Sequence, residues 1–186
     1  MLVGMDLSCF DTMEPSELRG YLAFLLWHYR VVDSFWFLYM ADQYGQAEAE
    51  RLNERVWARV SGLAARDLVS RFHVGERGLE GFLKVLRVYP WTLLLEYDIR
   101  EADGEIILSV PCCATQEARR RRDLPEYECK EMHRREFESI AAQVDPAIRV
   151  QCEFAPPDER PEDFDCRWRF TMEEPPVEAP SEPAAR

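Results

Sequence analysis

The sequence lacks the short motifs that assign an enzyme to a reaction class. It has no glycine-rich phosphate loop, no nucleophile elbow and no paired-carboxylate motif that stands out from its acidic background. Positive charge is also scarce, because 23 Lys and Arg are set against 35 Asp and Glu, which gives a formal net charge of −12. Nucleic-acid binding depends on clustered basic side chains, so no nucleic-acid partner is expected.

Targeting and membrane-spanning segments are lacking as well. Residues 1–13 have no basic segment of the kind that opens a signal peptide. The most apolar stretch, residues 21–40, contains His28, Arg30 and Asp33 near its centre, and such side chains are costly in hydrocarbon. We therefore predict a buried amphipathic helix here, in a cytoplasmic protein with no membrane partner.

In the N-terminal half, apolar residues recur with the spacing of α-helices. In parts of the C-terminal half, apolar and polar residues alternate as they do in β-strands. Helices are predicted over residues 15–44, 47–71, 79–88, 114–122 and 127–144. Strands are predicted over residues 91–99, 105–110, 148–154 and 164–171. The second helix is expected to face the core through Ala49, Leu52, Val56, Val60, Leu63 and Leu68.

These elements predict an α+β fold, with a helical N-terminal half followed by an antiparallel sheet of about four strands with interspersed helices. We expect residues 1–172 to form a single domain. Residues 173–186 are acidic and rich in proline, with too few apolar side chains to offset the entropy of ordering, so a disordered tail is predicted.

Cysteine shows the clearest pattern of any reactive residue. Five of the six fall in the C-terminal half, namely Cys112, Cys113, Cys129, Cys152 and Cys166. Cys113 and Cys129 lie where predicted helices begin, whereas Cys152 and Cys166 lie on the last two predicted strands. If those strands pair, the two thiols come close to cross-strand distance.

Four thiolates that converge from separate elements predict a metal site, with zinc as the expected ion. The predicted ligands are Cys113, Cys129, Cys152 and Cys166. Cys112 could replace one of them, and so could His133, which lies one helical turn after Cys129. The alternatives are an iron–sulfur cluster, ordinary buried cysteines without a metal, and a reactive thiol.

The first helix carries most of the candidate ligand-binding residues. Trp27, His28, Asp33 and Trp36 could line an apolar pocket with a few polar groups, as small-molecule sites do. Arg119, the first of four consecutive arginines, could hold a carboxylate ligand. The structural alternatives are a core or boundary role for His28 and a solvated, ion-paired helix face for the arginines.

Two functions therefore stay open. One is small-molecule handling by a ligand-binding or hydrolase-like domain. The other is a structural or interaction protein, a homodimer through the same aromatic helix, with no catalytic activity.

Short motifs along nearly the whole chain resemble a single family. In the N-terminal half they are Trp27-His28, Asp33 to Phe37, Tyr44-Gly45 and Leu52 to Trp57. In the C-terminal half they are Cys113 to Arg119, Cys129-Lys130, Phe137, Asp145-Pro146, Cys152, Pro156 to Asp158 and Cys166 to Phe170. Together these motifs resemble a bacterial family of uncharacterised cytosolic proteins (domain of unknown function 6125). The resemblance implies a fold and supports a metal site, and it supplies no activity.

The C-terminal half is more distantly similar to the L-2-amino-thiazoline-4-carboxylate hydrolase family and to the 4-vinyl reductase type of small-molecule-binding domain. In those domains a Val-x-Cys strand, a loop and a second Cys strand help to build a zinc site beside a ligand pocket. Val150-Gln151-Cys152 and Asp165-Cys166 fit that arrangement. The resemblance thus implies zinc next to a pocket and leaves the third and fourth ligands open.

Overall fold

Helices fill the first half of the chain and alternate with strands in the second, as the computed structural model shows for residues 4–95 and 97–173. The helices are α1 (Pro15–Tyr44), α2 (Gln46–Arg71), α3 (Gly78–Val88), α4 (Pro90–Leu94), α5 (Ala114–Arg120) and α6 (Lys130–Val144). The strands are β1 (Asp98–Ala102), β2 (Glu105–Val110), β3 (Ile148–Phe154) and β4 (Cys166–Met172). The predicted α+β class is confirmed. Apart from Glu173, the predicted tail over residues 173–186 lies outside the described residues.

The two long helices begin and end where local sequence signals place them. Pro15 is the first residue of α1, and the side chains of Glu14 and Glu17 cap each other's backbone N–H groups. Gly45 ends α1 with a φ of 87°, a conformation that glycine adopts without steric cost, and α2 begins at the next residue. The chain therefore turns back on itself, and α1 packs along α2.

The four described strands form one antiparallel sheet in the order β1-β2-β4-β3. Asp103 and Gly104 join β1 to β2, and both have positive φ values, as a tight hairpin turn requires. The predicted strand over residues 91–99 is largely wrong, because Pro90 supplies the fixed φ of a helix start and residues 90–94 form α4. Only the last two of those residues belong to β1.

The main hydrophobic core lies between the sheet and helices α3 and α6. Phe137 of α6 contacts Trp168 and Phe170 of β4, with ring centroids 5.3 Å apart in both pairs. Phe82 of α3 lies 4.8 Å from Phe170 and is fully buried. Each such side chain contributes roughly 1.5–3 kcal/mol through burial, so this layer fixes α6 against the sheet.

The face of α2 that meets the core agrees only in part with the predicted one, since Ala49 is buried and Leu68 packs against the core. Val56, Val60 and Leu63 are exposed, whereas Trp57, Ser61, Gly62 and Ala65 on the neighbouring face are buried. Small side chains let two helices approach closely, and a Cβ added at Gly62 would lie only 2.5 Å from Ser139 Oγ of α6. The orientation of α2 is therefore set by close packing of its small residues against α6, even though this leaves Val56, Val60 and Leu63 exposed.

The prediction of a buried amphipathic helix over residues 21–40 is wrong in its burial. All thirty residues of α1 are described, and none of them is buried. Trp36 and Tyr39 are 68% and 67% exposed. None of the helices in the described part of the chain has the length and apolar composition that a membrane crossing requires. The apolar face of α1 is thus left uncovered by the rest of the described chain.

Candidate ligand cavity and thiol cluster

A cavity of about 290 Å³ lies where α1, α2, α5 and α6 meet. Its apolar lining includes Phe37, Leu38, Trp57, Trp91 and Met132. Its polar lining includes Asp33, Arg119, His133 and Glu136. An apolar space with a few converging polar groups is the usual character of a small-molecule site.

The aromatic wall of the cavity is built by contacts between helices. Trp57 of α2 lies 5.5 Å from Trp91 of α4, and both contact Tyr29 on the inner face of α1. Phe37, two turns further along α1, lies 5.0 Å from Tyr127. Edge-to-face and tilted ring pairs at these distances fix the orientation of the rings. The inner face of α1 is thereby held as one side of the cavity.

A buried carboxylate lies at the α6 side of the cavity. Glu136 is 2% exposed, and its Oε1 accepts a hydrogen bond of 2.9 Å from the Tyr89 hydroxyl, which also lies 2.9 Å from Ser61 Oγ. Glu136 Oε2 lies 2.7 Å from Nδ1 of His133. A buried charge is stable only when such partners satisfy it. Glu136 therefore orients the His133 ring.

His133 connects this carboxylate to a thiol. Cys129 is the N-cap residue of α6, and His133 follows one turn later, so both side chains lie on the same face of the helix. Burial lowers the pKa of His133, but hydrogen bonds to Cys129 and Glu136 outweigh it and raise the pKa well above its ordinary value. A thiol, an imidazole and a carboxylate in this order can activate a nucleophile. The same thiol and imidazole are also zinc-ligand types.

Asp33 enters the cavity from α1 as a second titratable carboxyl group. Burial, followed by the negative charge of Glu136, raises the pKa of Asp33 from 3.8 to about 6, although a hydrogen bond with Trp57 favours the charged form. A carboxyl group with a pKa near 6 can exchange protons close to neutral pH. Of the four residues predicted on α1 for the pocket, Asp33 is thus the one that lines the cavity and can exchange a proton near neutral pH.

Arg119 lines the cavity, and protein groups already accept hydrogen bonds from its guanidinium group. Its Nε donates to the carbonyl of Pro125 at 2.6 Å, and its Nη2 donates to Gln46 Oε1 at 2.8 Å. The guanidinium also lies over the ring of Phe37, 5.7 Å from the ring centroid. These contacts connect α5 with α1, with the start of α2 and with the loop after α5. Arg119 therefore shapes the cavity first and can offer only its remaining N–H groups to a ligand.

The remaining members of the predicted α1 pocket do not meet in the cavity. Trp27, His28 and Trp36 lie exposed on α1, and none of them is among the residues that line the cavity. The sequence reasoning missed Glu136, whose signal was its position one turn after His133 on a helix. It also missed the aromatic wall, since contacts between helices are not visible in the spacing within one helix.

A second, narrow cavity of about 20 Å³ lies behind His133, between α6 and β4. It is lined by three thiols, those of Cys113, Cys129 and Cys166, and also by His133 and Trp168. Burial raises the pKa of Cys113 and that of Cys166, and the neighbouring thiol of Cys129 contributes to both shifts. Without a metal, the Cys113 and Cys166 thiols are therefore protonated at neutral pH.

The fourth predicted ligand stands apart from this cavity. Cys152 lies opposite Trp168 in the β3–β4 ladder, whereas Cys166 lies opposite Val110 of β2. The strands that carry Cys152 and Cys166 do pair, as predicted, but the two residues are not directly opposite each other. Burial raises the pKa of Cys152 to about 11, and the charge of Lys130 opposes that shift.

The thiol and imidazole groups around the narrow cavity are of the types that bind zinc, but they are not arranged around a common point. Thiolate and imidazole groups suit the ion. The buried Trp168 Nε1–H has no partner at ordinary hydrogen-bond geometry among the described residues, but it lies close enough to the Cys166 thiol to oppose the burial that raises the pKa of that thiol. Within residues 4–95 and 97–173, however, no three His, Cys, Asp or Glu side chains are arranged as a group that could hold a metal ion. The zinc site stays a prediction.

Comparison with known proteins supplies a family and no activity. No curated protein and no solved structure matches the chain. The model of a family described as "Family of unknown function (DUF6125)" matches residues 24–172 of the 186 residues, so the chain belongs to that family, as its motifs predicted.

Proposed function

We propose that the chain binds a small organic molecule in the cavity between α1, α2, α5 and α6. The observation that supports this proposal is the cavity itself, an aromatic-lined space of about 290 Å³ that Asp33, His133 and Glu136 also line. Its volume lies just below the usual range for ligand sites, roughly 300–1,000 Å³. The ligand is therefore a metabolite of one or two rings rather than a dinucleotide cofactor.

The lining favours a flat, apolar ligand that carries an acidic group. Phe37, Trp57 and Trp91 present aromatic surface to such a body. Arg30 and Arg122 also line the cavity, and neither forms an ion pair within residues 4–95 and 97–173. A guanidinium group binds a carboxylate through paired hydrogen bonds. An aromatic carboxylate thus matches both parts of the lining.

Isothermal titration calorimetry with a panel of small aromatic carboxylates, such as benzoate, naphthoate and indole-acetate, tests this proposal. At least one of them is expected to bind the wild-type protein. The Ala118→Phe variant places a phenyl ring in the cavity, because Ala118 lines it. We expect this variant to bind the same ligand at least tenfold more weakly, a change of about 1.4 kcal/mol.

The matched control is Ala142→Phe, which adds the same ring to an exposed position of α6. This variant should bind with wild-type affinity. Wild-type affinity in Ala118→Phe, or no binding of any carboxylate by the wild type, would count against the proposal. The latter result would favour the alternative of a structural or interaction protein without catalytic activity.

Zinc binding by the cysteine cluster is a second proposed property. It is supported by the donor types around the narrow cavity and by the Trp168 N–H beside Cys166, which favours the thiolate form of that residue. Binding would require the thiol side chains of Cys113, Cys129 and Cys166 to rotate toward one point, with His133 or Cys152 as the fourth ligand. A bound zinc ion would supply a Lewis acid beside the ligand cavity.

The third proposed property is hydrolase-like activity. The distant similarity to L-2-amino-thiazoline-4-carboxylate hydrolases and 4-vinyl reductase type domains stays a prediction, as does a bacterial, cytoplasmic setting. In protein without zinc at Cys129, that thiol with His133 and Glu136 would be the catalytic group; coordination of Cys129 by zinc would exclude this role. An assay with p-nitrophenyl esters tests it, since Cys129→Ser should abolish hydrolysis while the calorimetric affinity for carboxylates is kept.

A further inference from the structure

The exposed face of α1 carries a regular apolar stripe. Its members, separated alternately by four and three residues, are Tyr21, Leu25, His28, Val32, Phe35 and Tyr39. All six are exposed, and Phe24 and Trp36 extend the stripe on its two sides. An alternating spacing of four and three keeps side chains on one line of a helix and is the spacing by which two helices interlock. We call this set of eight residues the α1 stripe.

The α1 stripe lies about a third of a turn around the helix from the face of α1 that the rest of the chain uses. Tyr29, Asp33 and Phe37 point to α2, α4 and the cavity, so the domain already occupies that face of the helix. Single exposed apolar side chains are common on proteins, but contiguous apolar patches beyond roughly 300–600 Å² mark interaction surfaces. The α1 stripe is contiguous over about five helical turns.

The area of the α1 stripe matches one side of a stable protein–protein interface. Its apolar members other than His28 are between 38% and 68% exposed. With about 200 Å² for a whole aromatic side chain, the stripe exposes roughly 700 Å² in total. A standard interface buries about 800 Å² on each partner, and side chains that flank the stripe would supply the difference.

The distribution of charge on the surface favours a second copy of the chain as the partner of the α1 stripe. The protein carries a net charge of −12, so two copies repel each other over most of their surfaces. The α1 stripe holds no Asp or Glu, and between residues 18 and 41 the only Lys, Arg, Asp or Glu residues are Arg19, Arg30 and Asp33. Two copies can therefore meet at this face without bringing like charges together.

The spacing of the stripe is also complementary to itself. In a two-fold symmetric dimer the same patch contacts its own copy, which requires a surface that interlocks with an identical surface. A stripe with alternating spacing of four and three residues meets that requirement. An anionic membrane is a poorer partner, because interfacial helices bind it through many Lys and Arg side chains, which this face lacks.

We propose that the protein is a homodimer in which α1 of one copy packs against α1 of the other through the α1 stripe. Sedimentation equilibrium of the full chain is expected to give twice the 21.8 kDa mass of one chain. The double variant Val32→Glu with Phe35→Glu places buried charge in the interface and is expected to sediment as a monomer. Its far-ultraviolet circular dichroism should match that of the wild type, because neither side chain is buried within the described chain.

The matched control replaces two exposed apolar residues elsewhere, Phe72→Glu with Leu93→Glu, and is expected to remain a dimer. If the double variant fails to fold, acrylamide quenching of tryptophan in the wild type gives a second test. Quenching should decrease as protein concentration rises, since Trp27 and Trp36 are 51% and 68% exposed in one chain.

A wild-type protein that stays monomeric at about 100 μM, well above the Kd of a standard interface, overturns the proposal. A dimer that survives both glutamates overturns it as well, because the interface must then lie elsewhere. Monomeric protein that binds vesicles of phosphatidylcholine and phosphatidylglycerol would assign the stripe to a membrane surface instead.

Discussion

Replacing Asp33 with asparagine is expected to stabilise the protein at neutral pH and to change little in acid. Burial, with the charge of Glu136, raises the pKa of Asp33 from 3.8 to about 6. The folded protein therefore holds the Asp33 proton more tightly than the unfolded chain does. The resulting stability is fully present below pH 3.8, is lost as the pH rises to about 6, and is absent above.

The size of the effect follows from that pKa difference. About two units at ~1.4 kcal/mol per unit give an upper limit of about 3 kcal/mol. Asp33 is only partly buried, so solvent screening reduces the expected gain to about 1–2 kcal/mol. Asparagine cannot ionise, yet it keeps an oxygen that accepts the hydrogen bond from Trp57. The variant therefore removes the buried charge and little else.

Urea unfolding, followed by circular dichroism at one protein concentration, measures the gain between about pH 4.5 and pH 8. The gain in Asp33→Asn should grow over the lower half of that range and be constant above about pH 6.5. Asp42→Asn removes the same charge from an exposed position of α1 and should change stability by less than about 0.5 kcal/mol. A gain that is equal at both ends of the range, or a loss at pH 8, would refute the reasoning.

Three further outcomes are expected. Elemental analysis of untagged protein should find about one zinc per chain, with thiols that become reactive only after chelation; metal-free protein would exclude the site. Tyr89→Phe leaves the buried Glu136 Oε1 without its donor and should cost about 1–3 kcal/mol in urea unfolding, whereas a neutral effect would contradict the hydrogen-bond chain. Gly81→Ala puts a Cβ 2.1 Å from the Glu76 carbonyl oxygen and should lower the midpoint of thermal unfolding by several degrees, while Gly20→Ala, with open space around it, should raise it slightly.

The helix and strand order could be predicted because each boundary carries a local signal. Pro15 and Gly45 mark the ends of α1, and Asp103-Gly104 marks the hairpin. The error at residues 91–99 arose where two signals compete, since a leucine-rich, aromatic segment follows a proline that starts a helix. Periodicity identified the elements, and the capping residue decided between helix and strand.

The site was harder to predict than the fold. Cys129 and His133 could be paired from their spacing on α6, and Asp33 could be placed on the first helix. The direction in which α1 faces could not be inferred, because apolar spacing shows that a face will be covered without showing by what. For that reason the sequence predicts a pocket position for Trp27, His28 and Trp36, whereas all three lie exposed on α1. The register of β3 against β4 places Cys152 opposite Trp168. A shift of that register by one residue would change the cross-strand partner of every residue in the pair, so the partner of Cys152 could not be inferred from the sequence.

α1 forms one wall of the cavity, and none of its thirty residues is buried. An element whose contacts are all made by partly exposed residues separates from its neighbours at a lower free-energy cost than a core element such as α6. We therefore expect the rates of ligand entry and release to be limited by the rate at which α1 moves away from the other helices around the cavity. Clamping the helix in a dimer would slow both steps, so the residence time of a ligand would lengthen as protein concentration rises.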